Sequence, residues 1–253
     1  MSELTCIIIT HNEALNIEDC LKTLDFCKEV IIVDSGSTDA TVSIAEAYGC
    51  KIVKTPDWPG YGRQKQRALD LVTTQWALSI DADERVTPDL REEILYAITR
   101  DQHSGYLIKR RTNFLGHWMR GGGWYPDFVL RLVRKDHARF DCAAVHEKII
   151  VSGPVGRLNS FFLHFSYRTL GDVLTKQQRY ALLSSKKIRS IKGGKISILL
   201  SIARAAWTFF RLFFLQRGFI DGRYGLIAAI FKSQEVFWKY VAVEFESAAD
   251  TLK

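Results

Sequence analysis

The chain has 253 residues, 47% of them hydrophobic and 25% charged, which is enough length for a full core and an ordinary globular composition. The formal net charge of +7 is unevenly spread. Residues 1–100 hold 10 Lys/Arg and 17 Asp/Glu, whereas residues 101–253 hold 25 and 11. The basic second part predicts an anionic partner such as nucleic acid, anionic lipid or a phosphorylated acceptor.

The cysteines and the amino terminus both indicate a reducing compartment. The five cysteines are scattered, odd in number and free of CxxC spacing, as in proteins that keep their thiols reduced. The first residues lead directly into a strand-like run, without the basic leader and cleavage site of a secretory signal. We therefore expect a cytoplasmic protein.

Strand-like and helix-like segments alternate across residues 4–98. Apolar, β-branched runs at 4–10, 29–34, 51–54 and 76–80 are typical of strands buried on both faces, and a helical pattern follows each of them. This alternation predicts an α/β fold with parallel strands, in which ligands bind beyond the carboxyl ends of the strands. The chain has no GxxxxGK[ST] motif and no GxGxxG after the first strand, which disfavours a P-loop NTPase and a simple dinucleotide enzyme.

Three acids follow the fourth of these strands. If strand geometry continues through Asp83, then Asp81 and Asp83 lie on the same face, where paired carboxylates suit Mg²⁺ or Mn²⁺. The alternative is a solvated turn that includes Glu84, followed by a helix capped by Thr87 and beginning at Pro88.

Two more polar clusters end strands of the same predicted sheet. Residues Thr10–Glu13 follow the first strand and Asp34–Ser37 follow the second. Any one cluster is explained by turn chemistry, since Asp, Asn and Ser are common in loops. Three clusters at one edge indicate a binding crevice instead.

The pattern changes after residue 100. Segments 105–109 and 128–134 are predicted strands of a mixed or antiparallel extension, and the glycines at 121–123 lead to Asp127, a candidate wall of the site. His146 and Glu147 point to opposite faces if their segment is extended.

From about Leu170 the chain reads as helical. Residues 196–216 are mostly apolar, with a polar stripe of Ser197, Ser201, Arg204, Thr208 and Arg211. Two arginines disfavour a simple spanning helix, and the preceding lysines favour a helix in a bilayer interface that faces anionic lipid. The alternative is a helix packed on its neighbours with the polar stripe towards solvent.

These motifs, in this order, resemble those of the family 2 glycosyltransferases of the GT-A fold. The resemblance rests on residues 7–13, 33–39 and 81–84. With residues 124–127, 131–134 and 145–147 added, the chain is similar to the bacterial branch that adds glucose to the heptose of the lipopolysaccharide inner core. The specific motifs cover residues 1–150, and a looser similarity includes 218–222.

The resemblance implies a domain plan. A Rossmann-like GT-A catalytic domain, with a mostly parallel sheet and helices on both faces, occupies residues 1–165. Its nucleotide-sugar half is 1–100 and its acceptor-side half is 101–165. Residues 166–253 form a helical, membrane-proximal region.

The resemblance also implies an inverting reaction with a UDP-sugar donor and a divalent cation, Mg²⁺ or Mn²⁺. Asp127 matches the general base, with Glu147 as the competing base. His146 matches a third metal ligand beside Asp83, or is a strand histidine in the core. The positions matching nucleotide-sugar contacts are Thr10, Asn12, Glu13, Asp34, Gln64, Lys65, Asp81, Ala82, Asp83 and Arg131.

Some of these positions carry more specific expectations. Asp34 would accept a hydrogen bond from the uracil imide or the ribose. Gln64 and Lys65 approach the ribose or the phosphates, or lie on a solvated helix face. Arg131 and Arg134 would meet the diphosphate or a phosphorylated heptose.

The predicted protein is therefore a cytoplasmic hexosyltransferase, peripheral on the inner face of the bacterial inner membrane, with a lipid-linked saccharide acceptor. One alternative keeps the donor and changes the acceptor to polyprenyl phosphate or another surface polysaccharide. A metal-dependent nucleotidyltransferase would need a glycine-rich basic loop after the first strand. A nucleic-acid binder ranks last, because the basic residues interleave with an apolar helix.

Overall fold

The computed structural model describes residues 3–100, 102–141, 148–192 and 196–250. The chain divides into two compact units. The first contains Met1–Arg110 and Asp127–His164, and the second contains Arg111–Pro126 and Phe165–Lys253. The segment Arg111–Pro126, which the sequence assigns to the acceptor-side half, thus groups with the carboxy-terminal helices.

Four parallel strands form the amino-terminal half of the sheet in the first unit. They are β1 (Leu4–Thr10), β2 (Glu29–Asp34), β3 (Lys51–Lys54) and β4 (Trp76–Ser79), in the order β3-β2-β1-β4. The connecting helices are α1 (Ala14–Leu21), α2 (Thr41–Ala47), α3 (Tyr61–Asp70) and α4 (Pro88–Ile98).

Alternate residues of β1 enter two separate cores. Cys6 and Ile8 join a cluster that contains Ile17 of α1, whereas Ile7 packs with Leu69 of α3 on the other face. This alternation explains the apolar run in β1, since a strand covered by helices on both sides has no solvent face. The predicted helices on both faces of the sheet are confirmed.

The sheet as a whole is mixed. Its later strands are β5 (Glu84–Val86), β6 (Gly105–Phe114), β7 (His117–Trp118), β8 (Asp127–Arg134) and β11 (Val155–Tyr167); β9 (Ala138–Phe140) and β10 (Ile149–Val151) form a separate pair. Strand β8 runs antiparallel to β4, so it begins near the edge where β4 ends. Because of this direction, Asp127 lies at the same edge as the acids after β4.

The second unit is built on long helices. They are α5 (Leu170–Lys192), α6 (Ile198–Phe210) and α7 (Gly222–Asp250), with a π-helical turn at Arg211–Leu215 and a 3-10 turn at Gly218–Asp221 before α7. A Cβ on Gly225 would lie 1.8 Å from the Gly218 carbonyl oxygen, so this turn packs on α7 only because position 225 has no side chain.

Helix α6 presents its apolar residues outward. Ser201 and Thr208 are buried, and their hydroxyls donate to carbonyls one turn earlier, at Ser197 and Arg204. Large apolar side chains, Leu199 and Trp207 among them, are exposed. The interpretation that places the polar stripe towards solvent is wrong for Ser201 and Thr208, which face inward, whereas Ser197, Arg204 and Arg211 are exposed.

Candidate active site

The acids after β4 lie in a turn rather than on the strand. β4 ends at Ser79, and the Glu84 amide donates to the Asp81 carbonyl at 2.9 Å. The expectation of strand geometry through Asp83 is therefore wrong. The predicted cap is confirmed, because Thr87 Oγ1 accepts the Leu90 amide just before α4. The turn is not solvated, however, since Glu84 is 0% exposed and starts β5.

Two cations hold the Asp81 carboxylate. Lys65 Nζ lies 3.0 Å from its Oδ1, and Arg131 Nη2 donates to its Oδ2. Burial opposes ionisation of Asp81, but Arg131 and Lys65 outweigh it and hold the pKa of this carboxyl well below its ordinary value. Asp81 is thus ionised at neutral pH, and both of its oxygens are engaged.

The basic helix α3 faces the site with its buried side. Lys65 is buried against Asp81, and Gln64 is buried with its Nε2 donating to Ser35 Oγ at 2.9 Å and to Thr55 Oγ1 at 2.5 Å. The alternative that Gln64 and Lys65 lie on a solvated helix face is wrong. Both residues stand among the polar groups that follow β2 and β4.

Asp83 has different surroundings from Asp81. Its Oδ2 lies 3.5 Å from Nε2 of His164, which is on β11 opposite Glu84 of β5. That separation is long for a hydrogen bond. His164 is absent from the sequence predictions because β11 itself was not predicted: polar residues at 157, 159, 160 and 164 interrupt its apolar pattern.

Asp127 begins β8 and pairs with Arg110 of β6. Arg110 Nε and Nη2 both donate to Asp127 Oδ2, at 2.9 and 2.6 Å. The Asp127 side chain is 37% exposed, so an incoming molecule can reach it. Arg110 was also missed by the sequence analysis, since nothing local distinguishes it from its basic neighbours Lys109 and Arg111.

Asp34 organises the loop that follows β2. Its Oδ1 accepts the amides of Gly36 and Ser37 at 3.1 and 2.8 Å, and its Oδ2 accepts the hydroxyls of Ser37 and Thr10 at 2.5 and 2.8 Å. Burial raises the pKa of Asp34, but these hydrogen bonds outweigh burial and lower it overall. Four donors of the chain occupy a carboxylate that has about four acceptor positions, so a nucleoside contact would have to displace one of them.

We expect Thr10→Val to destabilise the fold by about 1–3 kcal/mol, because the buried Asp34 carboxylate loses one of its donors. Since the native pKa of Asp34 lies below its unfolded value near about 3.9, this stabilisation is complete at neutral pH and is lost as the pH falls below about 4. Urea unfolding at pH 7 measures the difference. Thr99→Val, at an exposed end of α4, is the control and should change stability by less than about 0.5 kcal/mol.

Asn12 and Glu13 shape the loop after β1. Asn12 has a φ of 56°, which asparagine tolerates better than most residues, and its Oδ1 accepts the Thr38 amide at 2.8 Å. The Glu13 amide donates to Thr41 Oγ1 at 2.7 Å. The loops after β1 and β2 are therefore hydrogen-bonded to each other. This places Asn12, Glu13 and Asp34, three of the residues predicted to contact the nucleoside, side by side.

Arg131 and Arg134 do not act together. Arg131 is buried beside Asp81 and Glu84, whereas Arg134 pairs with Trp76 at the start of β4, with its guanidinium 5.4 Å from the Trp76 ring centroid. The expectation that Arg134 meets the diphosphate or a phosphorylated heptose beside Arg131 is wrong, because Arg134 lies at the opposite end of β4 from the acids.

His146 and Glu147 lie outside the described residues, so their predicted roles stay predictions. Within the part of the chain that the structure describes, no three His, Cys, Asp or Glu residues are grouped to hold a metal ion by themselves. A cation here would take further ligands from its substrate or from residues outside that part.

The α/β sheet, with acids beyond its parallel strands and a further acid on the adjacent antiparallel strand, has the arrangement predicted for the GT-A fold. The family model "Glycosyl transferase family 2" matches residues 5–146, more than half of the chain. The chain belongs to this family.

Curated relatives match over nearly the whole chain. The lipopolysaccharide core biosynthesis glycosyltransferase LpsC of Rhizobium meliloti is 30% identical, over 98% of this chain and 97% of its own. An uncharacterized glycosyltransferase of Rickettsia felis is 31% identical, over 90% and 84%.

Solved structures share the fold at low identity. The mannosyltransferase PcManGT of Pyrobaculum calidifontis, in complex with GDP-Man and Mn²⁺, has a TM-score of 0.60 at 13% identity, over 96% of this chain and 87% of its own. S. aureus TarS residues 1–349, in complex with UDP-GlcNAc, has a TM-score of 0.52 at 15% identity, over 99% and 92%. The predicted fold class is thereby confirmed.

Proposed function

We propose that this glycosyltransferase inverts the anomeric carbon of a UDP-sugar, with UDP-glucose as the first candidate, and transfers the hexose to a heptose of the lipopolysaccharide or lipooligosaccharide inner core. The observation that carries the proposal is the group of acids at one sheet edge, Asp81, Asp83 and Asp127. The relative named for lipopolysaccharide core biosynthesis supports the acceptor class. The UDP-GlcNAc complex of a structure with the same fold supports the donor class.

The residues present fit a divalent cation at Asp83. Its carboxylate and the His164 imidazole offer an oxygen and a nitrogen 3.5 Å apart, a donor set suited to Mn²⁺ as well as to Mg²⁺. Asp81 is less suited, because Lys65 and Arg131 already neutralise it. Asp83 and His164 would hold the cation, with His146 as the ligand predicted from sequence. When bound, the cation supplies positive charge to the leaving diphosphate.

The chain's own groups then have separate roles. Asp127 accepts the proton of the acceptor hydroxyl as that oxygen attacks the anomeric carbon, and Glu147 is the competing base. Lys65 of α3, which pairs with Asp81, adds positive charge near the diphosphate. The loops after β1 and β2 hold the nucleoside through Thr10, Asn12 and Glu13.

UDP release tests this function. Release from UDP-glucose is expected to need both Mn²⁺ or Mg²⁺ and a heptose-bearing core acceptor. Release with polyprenyl phosphate or another surface polysaccharide in place of the core would change the acceptor and keep the enzyme class. Pyrophosphate release from a nucleoside triphosphate would instead indicate a nucleotidyltransferase. The loop Thr10–Glu13 already disfavours that class, since it lacks the glycine-rich basic pattern.

The second unit is the part of this enzyme that contacts the membrane. The stretch Ile198–Leu215 is the one helical segment among the described residues that is long and apolar enough to cross a bilayer, with a mean hydropathy of 1.6. Only 22% of it is buried, and a solvent-exposed apolar face of this kind favours insertion into a lipid interface. This contact would place the enzyme on the inner face of the bacterial inner membrane.

Leu199→Glu is expected to reduce binding to vesicles of phosphatidylglycerol and phosphatidylethanolamine by about 10-fold or more, because a charge replaces an apolar side chain that is 72% exposed. Co-sedimentation measures the change. Leu15→Glu is the matched control, since Leu15 is 82% exposed on α1 of the first unit and its loss should leave sedimentation unchanged. Equal effects of both variants, or no effect of Leu199→Glu, would contradict the membrane role of α6.

A further inference from the structure

Glu84 stands between the donor-side acids and the candidate base. It is the first residue of β5 and is fully buried. Its Oε2 accepts the Asp81 amide at 3.0 Å, which fixes the turn that carries the acid pair. Its Oε1 accepts Arg131 Nη2 at 3.0 Å and lies 3.6 Å from Arg110 Nη1.

Each of these two arginines also holds an acid of the proposed site. Arg131 donates to Asp81 Oδ2, and Arg110 donates to Asp127 Oδ2. The five side chains therefore form a continuous row of alternating charge: Asp81, Arg131, Glu84, Arg110, Asp127. Glu84 is its central member, so its position restricts where both guanidinium groups can lie.

The burial of Glu84 makes this restriction strong. A carboxylate removed from water is stable only with compensating charge, and removing one member of a buried ion network leaves its partners uncompensated. Arg131 is itself buried, whereas Arg110 is partly exposed. Without the Glu84 charge, Arg131 stays held by Asp81, which Lys65 also holds, whereas Arg110 is left with Asp127 alone, whose side chain is 37% exposed. The Arg110–Asp127 pair is therefore the part of the row that should shift.

We infer that Glu84 is a positioning residue that sets the place of the proposed base Asp127 through Arg110, and so couples the base to the turn that holds the donor. The inference rests on the proposed function, because it assigns Asp127 to the acceptor hydroxyl. Glu84 contacts neither substrate in this arrangement. Its effect passes through the guanidinium it shares with Asp127.

Glu84→Gln tests the coupling because it preserves shape and changes only charge. The glutamine oxygen still accepts the Asp81 amide, but its NH₂ group replaces an acceptor with a donor facing an arginine. We expect kcat to fall by about 100-fold, as for a misplaced reacting group, while KM for UDP-glucose stays within about 3-fold. Rates are divided by the fraction of protein that binds UDP in calorimetry, so a loss of folded enzyme does not mimic the effect.

A double-mutant cycle with Arg110→Met separates positioning from general destabilisation. If Glu84 acts through Arg110, adding Glu84→Gln to Arg110→Met lowers kcat by less than about 3-fold further. If the double variant instead loses kcat by the product of the two single losses, the inference is overturned. The control is Glu93→Gln, which removes charge from a carboxylate that accepts the amides of Asn159 and Ser160, and it should leave kcat unchanged.

The outcomes also separate this inference from the proposed function. If Asp127→Asn inactivates the enzyme but the effects of Glu84→Gln and Arg110→Met on kcat multiply, the proposed function stands and Glu84 has no positioning role. A folded parent protein that releases no UDP with any donor and acceptor pair would overturn both. If Glu84→Gln does not fold, Arg110→Lys decides: a loss of kcat with unchanged KM supports the coupling, and a parental kcat contradicts it.

Discussion

Asp127→Asn is expected to lower kcat for sugar transfer by about 10²–10⁴-fold, the usual contribution of a general base. The amide cannot accept the proton of the acceptor hydroxyl, yet it keeps the size and a hydrogen bond to Arg110. Donor binding should therefore stay near the parental value, since Asp127 contacts the acceptor in the proposed mechanism. UDP release with saturating donor and acceptor measures the loss, and calorimetry with UDP measures donor binding.

Asp136→Asn is the matched control, because Asp136 follows β8 and its side chain is 88% exposed. It should be as active as the parent. An active Asp127→Asn enzyme would move the base elsewhere, and Glu147→Gln, measured in parallel, would then be the inactive variant if Glu147 is the base. Loss of activity in Asp127→Asn together with loss of UDP binding would instead indicate a damaged donor site.

Asp83→Asn is expected to weaken Mn²⁺ binding in the presence of UDP and to lower the rate by about 10²–10³-fold, since a metal contributes several kcal/mol to charge stabilisation. The asparagine keeps the shape of the turn but removes the charge that a hard cation needs. Titration of Mn²⁺ followed by electron paramagnetic resonance measures binding without turnover. Excess Mn²⁺ should restore part of the lost rate.

Asp89→Asn is the control for this variant, because Asp89 is an exposed acid in the first turn of α4, six residues along the chain. Parental Mn²⁺ affinity in Asp83→Asn would contradict the assignment of the cation to this carboxylate. Parental Mn²⁺ affinity in Asp83→Asn with a greatly reduced rate would instead give Asp83 a role in the reaction that does not involve the cation.

The first half of the sheet could be predicted from sequence because its signals are local. The bounds of β1, β2 and β3 are those predicted, since each is a short β-branched run followed by a helix. β11 could not be predicted in this way. It is thirteen residues long with polar positions among them, so its identity depends on neighbouring strands rather than on its own pattern.

The candidate site could be predicted from sequence to the same extent. Asp81, Asp83 and Asp127 stand out because acids follow strands or glycines. Glu84 was noticed only as part of a turn, and Arg110 had no local signal at all. Their roles arise from tertiary contacts between residues 17 or more positions apart, which spacing along the chain cannot reveal. The prediction for Arg134 was wrong because it relied on spacing alone. Residues three apart on a strand point to opposite faces, and here Arg131 and Arg134 also lie beside opposite ends of β4.

The outward apolar face of α6 also bears on how the enzyme would meet its acceptor. A protein held at a bilayer by that face shares a thin layer with any lipid-linked saccharide, so the two search for each other in two dimensions rather than three. Confinement of this kind raises the effective concentration of a partner without any new contact. Dispersal of enzyme and acceptor into separate detergent micelles would then raise the apparent KM for the acceptor, while kcat, which depends on the sheet edge, would be preserved.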